Sequence, residues 1–163
     1  MSLSHRPAEE RDLARICTFP RTEEELFFIY PTGVFPLSVD QLREAVGQRA
    51  DATVVERDGE VVGFANFYQW ETGGQCSIGN VIVSPAVRGC GVGSFLIGRM
   101  IDLAFQKYRA AEVAVSCFNQ NAAGLLFYPK FEFQPFAVEE RRDREGKRVA
   151  LIHMRLQRNT ASL

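Results

Sequence analysis

The segment Asn80-Val-Ile-Val-Ser-Pro-Ala-Val-Arg88-Gly89-Cys90-Gly91-Val92-Gly93-Ser94 passes from an apolar, β-branched strand through a proline into a glycine-rich loop, then opens a helix. Glycines let backbone approach an anion closely. The unpaired N–H groups and dipole of a helix N-terminus attract phosphate, to which Arg88 adds a fixed charge. Two better-known glycine motifs do not fit. A dinucleotide fingerprint beginning at Gly89 requires glycine at Ser94, and one beginning at Gly91 requires it at Leu96. A Walker loop requires Gly-Lys-Ser/Thr, which is absent. A turn built only for tight packing would use the same glycines, so the loop alone leaves both readings open.

On either side of this segment the hydrophobic pattern predicts a mixed α/β fold. Leu3–Ala8 reads as a short strand, and Leu13, Ile16 and Cys17 place a helix over Glu9–Phe19. Thr22-x-x-Glu25 and Ser38-x-x-Gln41 are capping boxes opening helices over Glu23–Tyr30 and from Ser38 to about Arg49. Asp58-Gly59 turns a hairpin between Ala52–Glu56 and Val61–Trp70, and Gln75–Ser84 forms the next strand. After the loop, a helix runs to about Arg109, with Phe95, Leu96, Ile101 and Ala104 on its buried face. Val113–Cys117 is a buried strand, Asn121–Tyr128 a short helix, and Phe131–Val138 and Arg148–Leu156 a final pair of strands. The mixed-charge run Glu139–Lys147 between them reads as a solvated loop. The expectation is a central mixed sheet of six or seven strands flanked by helices, with a parallel crossover from Gln75 to Cys117. It forms a single domain over residues 1–157, followed by a frayed tail at 158–163.

Composition narrows the function. Of 163 residues, 46% are hydrophobic and 24% charged, and the net charge is −1, so no global field draws the chain to nucleic acid or an anionic membrane. Met1–Arg11 lacks an apolar stretch of signal-peptide length, and neither long uncharged segment could cross a bilayer. Cys17, Cys76, Cys90 and Cys117 are widely spaced and only two histidines are present, which suits reduced thiols in a cytoplasmic protein without a bound metal. Cys117 and His153 invite a nucleophile–base pairing but lack an identifiable orienting group.

A second motif lies some thirty residues after the first: Asn121-Ala-Ala-Gly124-Leu-Leu-Phe127-Tyr128-Pro-Lys130-Phe-Glu132-Phe133. With Arg88-x-x-Gly91-x-Gly93 ahead of it, and Arg6-Pro-Ala8 with Asp12-Leu13 at the start, the chain resembles the GNAT superfamily of acyl-CoA-dependent N-acetyltransferases over nearly its whole length. Two positions depart from the family pattern. Gly124 replaces a somewhat larger small residue, and Glu132 replaces a glycine at a turn where glutamate tolerates positive φ poorly.

The resemblance implies the acyl-CoA N-acyltransferase fold, acetyl-CoA as cosubstrate and an amine acceptor, in a monomer or homodimer. It assigns the pantetheine arm to backbone groups of Val81, Ile82 and Val83, a form of strand addition. The pyrophosphate falls to Arg88, Gly89, Cys90, Gly91, Val92, Gly93 and Ser94. Asn121 would cap its helix, reach the pantetheine, or both. Lys130 would meet a CoA phosphate or simply solvent. Tyr128 becomes the proton donor to the departing thiolate, unless its hydroxyl only caps a strand. The base is unassigned: Ser77 stands where some members carry glutamate, leaving water, Glu71, Glu24 or Glu25, or an acceptor that is not strongly basic. Asn66, Tyr68 and Trp70 share a strand face and could line the acceptor pocket, and the acidic, aromatic Glu23–Phe35 stretch suggests a cationic or amphipathic acceptor. The missing carboxylate at Ser77 leaves one alternative, a non-catalytic acyl-CoA-binding regulatory module.

Overall fold

In the computed structural model, which describes residues 2–158, seven strands form one sheet in the order β1-β2-β3-β4-β5-β7-β6. The strands are β1 Leu3–Pro7, β2 Ala50–Arg57, β3 Glu60–Gln69, β4 Gln75–Val83, β5 Glu112–Phe118, β6 Gln134–Arg142 and β7 Arg148–Gln157. Every neighbouring pair is antiparallel except β4 and β5, which run parallel and are joined through helix α4, Val92–Lys107. Helices α1 Leu13–Ile16, α2 Glu23–Ile29 and α3 Val39–Gly47 fill the connection from β1 to β2, and α5 Ala122–Phe127 follows β5.

The sheet is covered on both faces, and the pleat of β2 shows how. Val54 packs into a core with Leu13, Ile16, Phe19, Leu42 and Phe64, while its neighbour Val55 packs on the other face with Leu96, Ile97 and Met100 of α4. Burying side chains of this size contributes about 1.5–3 kcal/mol each. Strand β4 breaks the alternation. Ile78 and Ile82 are four apart, yet Ile78 lies in the α4 core and Ile82 in the opposite one. The register explains this: Phe64 pairs with Ile82 and Asn66 with Gly79, so β4 holds one extra residue, and a bulge reverses the facing of everything beyond it. Asn80 sits in that bulge at φ 49, a left-handed conformation that asparagine tolerates better than most.

Several expected boundaries shift. The first helix is a 3₁₀ turn at Glu10–Asp12 leading into a four-residue α1. The helix after β5 ends at Phe127, and Tyr128 opens a 3₁₀ turn that contains Phe131, so β6 starts only at Gln134. The charged run Glu139–Lys147 is not all loop: Glu139–Arg142 belong to β6, an edge strand exposed along its whole length, whose exposed faces read from sequence as loop. Arg158 is docked at the end of β7, its N–H on Ala111 O at 2.9 Å and its Nη2 on Phe105 O at 2.7 Å. The rest of the expected frayed tail lies outside the described residues. Glu132 does adopt the left-handed conformation of the family's glycine, at φ 72.

The Arg6 and Asp12 of the opening motif form a clamp. Both guanidinium Nη atoms donate to the buried Asp12 carboxylate at 2.8 Å, Glu9 N–H donates to it at 2.7 Å, and Arg6 Nε holds Glu56 on β2. The Arg6 hydrogen bonds hold the Asp12 carboxyl below its usual range, against burial, which alone would raise it. A carboxyl depressed in the folded state contributes stability above its unfolded pKa of about 3.9, and that contribution is lost as pH falls through the folded value. Urea unfolding midpoints should therefore fall more steeply between pH 7 and pH 3 in the wild type than in Asp12→Asn, with the variant less stable at pH 7; parallel pH dependences would show that the clamp carries no linkage.

Candidate active site

Strands β4 and β5 begin as neighbours and then separate. Their pairing covers only Gln75–Ser77 against Glu112–Ala114. Beyond it β4 stays paired to β3 as far as Val83, and β5 to β7 as far as Phe118. The β4 edge from Ile78 onward, turned toward β5, thus has no strand partner. A cleft of about 360 Å³ occupies the opening, reached by Val81 and Asn80 of β4, Ser116 of β5, His153 of β7, and Asn121 and Tyr128 beyond β5.

The glycine loop lies at one end of this opening. Gly89 and Gly91 take φ +80 and +84, so each is a position that favours glycine, and Gly91 is the N-cap of α4 without any side-chain cap. The α4 N-terminal amides are left for an anion. A Cβ on Gly93 would lie 3.4 Å from Phe127 and 3.8 Å from Val83, so the start of α4, the end of β4 and α5 converge. Arg88, Gly89, Cys90, Gly91 and Ser94 are exposed, whereas Val92 is buried in the core. Val81 and Val83 are half-buried, and the Ile82 side chain turns away into the opposite core. Arg88 is engaged: its Nη1 pairs with Glu25 at 2.6 Å and its Nε meets Val83 O at 3.4 Å. Lys130 is exposed and outside the cleft.

Asn121 caps α5, its Oδ1 accepting from Gly124 N–H at 3.0 Å, and also lines the cleft. The departure at Gly124 has a steric cause, since a Cβ there would sit 2.6 Å from Cys117 Sγ. Tyr128 is 9% exposed and held edge-on by Phe127 and Phe133. Its hydroxyl makes no hydrogen bond to a described residue, and no fully buried side-chain polar atom lacks a partner, so it meets the cleft. Burial, with Cys117 and Tyr68 nearby, raises this phenol well above its ordinary value and keeps it protonated.

Two hydrogen-bond chains cross the cleft. In one, Ser116 Oγ lies 2.7 Å from His153 Nδ1, His153 Nε2 lies 3.0 Å from Glu139 Oε2, and the Tyr68 hydroxyl approaches Ser116 at 3.4 Å. In the other, Arg49 Nη1 donates to Asn66 Oδ1 at 3.2 Å, Asn66 to Asn80 Oδ1 at 2.9 Å, and Asn80 to Ile29 O at 2.7 Å. The two meet where the Arg49 guanidinium lies over the Tyr68 ring, 5.6 Å from its centroid.

This wiring corrects several expectations. His153 pairs with Ser116, not Cys117, because Ser116 is its register partner and Cys117 faces the other way, where burial pushes its thiol up to about 11. Trp70 lies past the end of β3, exposed and outside the cleft. No carboxylate proposed as base reaches it. Ser77 is 2% exposed and donates to Gln69 Oε1 at 3.2 Å. Glu71 folds back over Gly74, and Glu24 faces an adjoining depression. Burial would raise Glu25, but Arg88 and the Arg21 N–H outweigh it and hold its carboxyl low, so it is a poor base. The acidic stretch of α2 is thus directed elsewhere, and no aspartate or glutamate among the described residues lines the cleft. Arg49, Asn80, Ser116 and Glu139 were not expected here, nor was His153 in this pairing.

The model of the acetyltransferase (GNAT) family matches residues 14–133, most of the sheet and both motifs. The chain belongs to the GNAT acetyltransferase family. The GNAT fold is shared with a putative phosphinothricin N-acetyltransferase (21% identity, 97% of this chain and 99% of that one, TM-score 0.76). It is shared too with a putative acetyltransferase from Salmonella typhimurium solved with acetyl-CoA (22%, 96% and 94%, 0.71). A third is a spermidine N-acetyltransferase from Vibrio cholerae in complex with CoA and spermine (18%, 95% and 95%, 0.79). Comparison with curated proteins finds no match. As a GNAT enzyme the chain is an acyl-CoA-dependent N-acetyltransferase, with acetyl-CoA as cosubstrate and an amine as acceptor.

Gly79 keeps the crossing point of the two chains open. A Cβ there would lie 2.6 Å from Tyr68 Cδ1 and 2.7 Å from Arg49 Nη1. Gly79→Ala should lower the urea unfolding free energy by about 1–3 kcal/mol, the usual cost of overpacking; an unchanged midpoint would mean that Tyr68 and Arg49 move aside freely.

Proposed function

We propose that acetyl-CoA lies along the open β4 edge with its pyrophosphate on the glycine loop, and that the acceptor amine enters the cleft between Tyr128 and Ser116. The observation that carries this reading is the convergence of an unpaired strand edge, an uncapped helix N-terminus and a protonated tyrosine on one opening. The free edge offers amide donors and acceptors to the pantetheine, and Asn121 borders the same opening. The exposed loop from Arg88 to Gly91 and the first turn of α4 from Val92 to Ser94 supply N–H groups to the phosphates, with Arg88 beside them. Lys130 remains a candidate for an outer CoA phosphate.

The acceptor nitrogen attacks the thioester carbonyl, the new C–N bond forms, and the C–S bond breaks with its electron pair on sulfur. A phenol raised above its ordinary pKa of about 10 cannot readily protonate a thiolate whose conjugate acid sits near ~8.5. Tyr128 therefore acts as a hydrogen-bond donor to the charge growing on sulfur. The proton released by the amine needs another acceptor. Glu139 only accepts hydrogen bonds, so His153 Nε2 carries the hydrogen and Nδ1 is free to take the Ser116 proton. An amine proton passing to Ser116 Oγ while the serine proton moves to His153 balances the reaction, with Glu139 beside the imidazolium. Glu139, itself held low chiefly by Arg141 and then by His153, stays ionised for that role.

Tyr128→Phe should slow acetyl transfer by roughly ten- to a thousandfold while leaving CoA affinity unchanged, because the ring and its packing remain. Free-thiol release with the best acceptor of a panel, beside a calorimetric CoA titration, measures both. Full activity would remove Tyr128 from the mechanism, and CoA binding without turnover of any acceptor by the wild type would support the non-catalytic module instead.

The groups facing His153 are Ser116 on β5, Glu139 and Arg141 on β6, and Tyr68 on β3 beyond the serine. In His153→Gln, kcat/KM should drop about a hundredfold at neutral pH and recover toward high pH as solvent supplies free amine. Ser116→Ala should show the same profile. A wild-type profile retained in both variants would rule the pair out as proton acceptor.

A further inference from the structure

Among the described residues, Arg49 is the one guanidinium of the cleft without a carboxylate. Two arginines line it, and the charge of the other, Arg141, is matched by Glu139 at 3.1 Å. Arg49 is half-buried between Tyr68 and the Asn66–Asn80 pair, and among the described residues it makes one hydrogen bond, to a neutral amide oxygen. A guanidinium has five N–H donors in a planar fork matched to a carboxylate, and burying it without an anion leaves most of its solvation unreplaced. The fold nevertheless holds it in place: Asn66 is fixed by Asn80, Asn80 by the Ile29 carbonyl, and Gly79 leaves room for the stack on Tyr68. No acidic side chain of the described residues lines the cleft to welcome a second positive charge.

We propose that Arg49 is an anion subsite for the acceptor, and that the acceptor is a small molecule carrying a carboxylate close to its amine, as a free amino acid does. Tyr68 connects the two halves of such a molecule: Arg49 lies over its ring, and its hydroxyl reaches Ser116. A carboxylate forked on Arg49 leaves the neighbouring amine one aromatic ring away, beside Ser116 and the opening onto Tyr128. This charge pattern opposes polyamines and lysine side chains, which would bring an unmatched cation toward Arg49. The inference rests on the acetyltransferase reading and adds to it the chemical class of the acceptor.

The test separates acceptor binding from chemistry by using CoA-loaded protein, which cannot turn over. Calorimetric titration with methionine, phenylalanine and glutamate is compared with methioninamide, phenethylamine and spermidine. At least one of the three carboxylates should bind ten- to a hundredfold more tightly than its carboxylate-free counterpart, and kcat/KM with acetyl-CoA should follow the same order. Arg49→Met, which keeps much of the apolar stem, should erase that preference while CoA affinity stays as in the wild type; Arg49→Lys should restore part of it. Amides or spermidine binding as tightly as the amino acids, or an unchanged preference in Arg49→Met, would overturn the subsite. So would CoA-loaded wild type that takes up none of the three carboxylates. Failure of the wild type to bind CoA at all would instead overturn the acetyltransferase reading beneath it.

Discussion

Two parallel strands that separate leave each other's backbone groups without partners, and the rest of this molecule is arranged around that separation. A buried N–H or C=O without a partner costs about 1–3 kcal/mol, so the β4 edge beyond Ser77 has to face either solvent or a ligand rather than packed side chains. The extra residue at Asn80 works on the same stretch. It turns Ile82 into the core shared with α1 and α3, and sends the Asn80 amide across to α2. Helix α4 then closes the α4 core with Leu96, Ile97 and Met100 while its uncapped N-terminus points at the vacated ground. The strain of one non-glycine residue at positive φ is offset by satisfied hydrogen bonds on both ends of its side chain.

The charges around the cleft are sorted rather than scattered. The acids of α2 face the neighbouring depression or the Arg88 guanidinium, and Glu139 stands behind His153 rather than beside the acceptor. What remains toward the interior is one unmatched cation, several hydroxyls and an imidazole. In the proposed mechanism the serine–histidine pair takes up the proton without adding a negative charge.

The glycine loop, Asn121, Gly124 and Tyr128 were legible because each sits within a few residues of the others, and their spacing is fixed by a local turn or a single helix end. The sheet and its single parallel pair were legible for the same reason, through runs of β-branched residues and the Asp58-Gly59 turn. On the acceptor side only Tyr68 was, from its place on a strand face. Arg49, Tyr68, Ser116 and His153 come from elements separated by more than a hundred residues, and only strand order brings them together. The bulge at Asn80 is invisible to a period-two pattern, because the pattern itself changes phase there. The end of β6, Glu139–Arg142, was read as loop because exposed faces give alternation no contrast, and this concealed the contact of Glu139 with His153.

The close fit between Gly124 and Cys117 bears on how this chain could have diverged from its relatives. The volume that the family pattern places on the helix is here supplied by the strand, as a sulfur atom projecting into the space an alanine methyl would occupy. Neither position can drift alone: a larger residue on the helix collides with the thiol, and a smaller one on the strand opens a void beneath the asparagine cap. The two positions are therefore sterically coupled in this chain. The glycine in the motif is then a departure that the strand has already compensated, not a weakening of it.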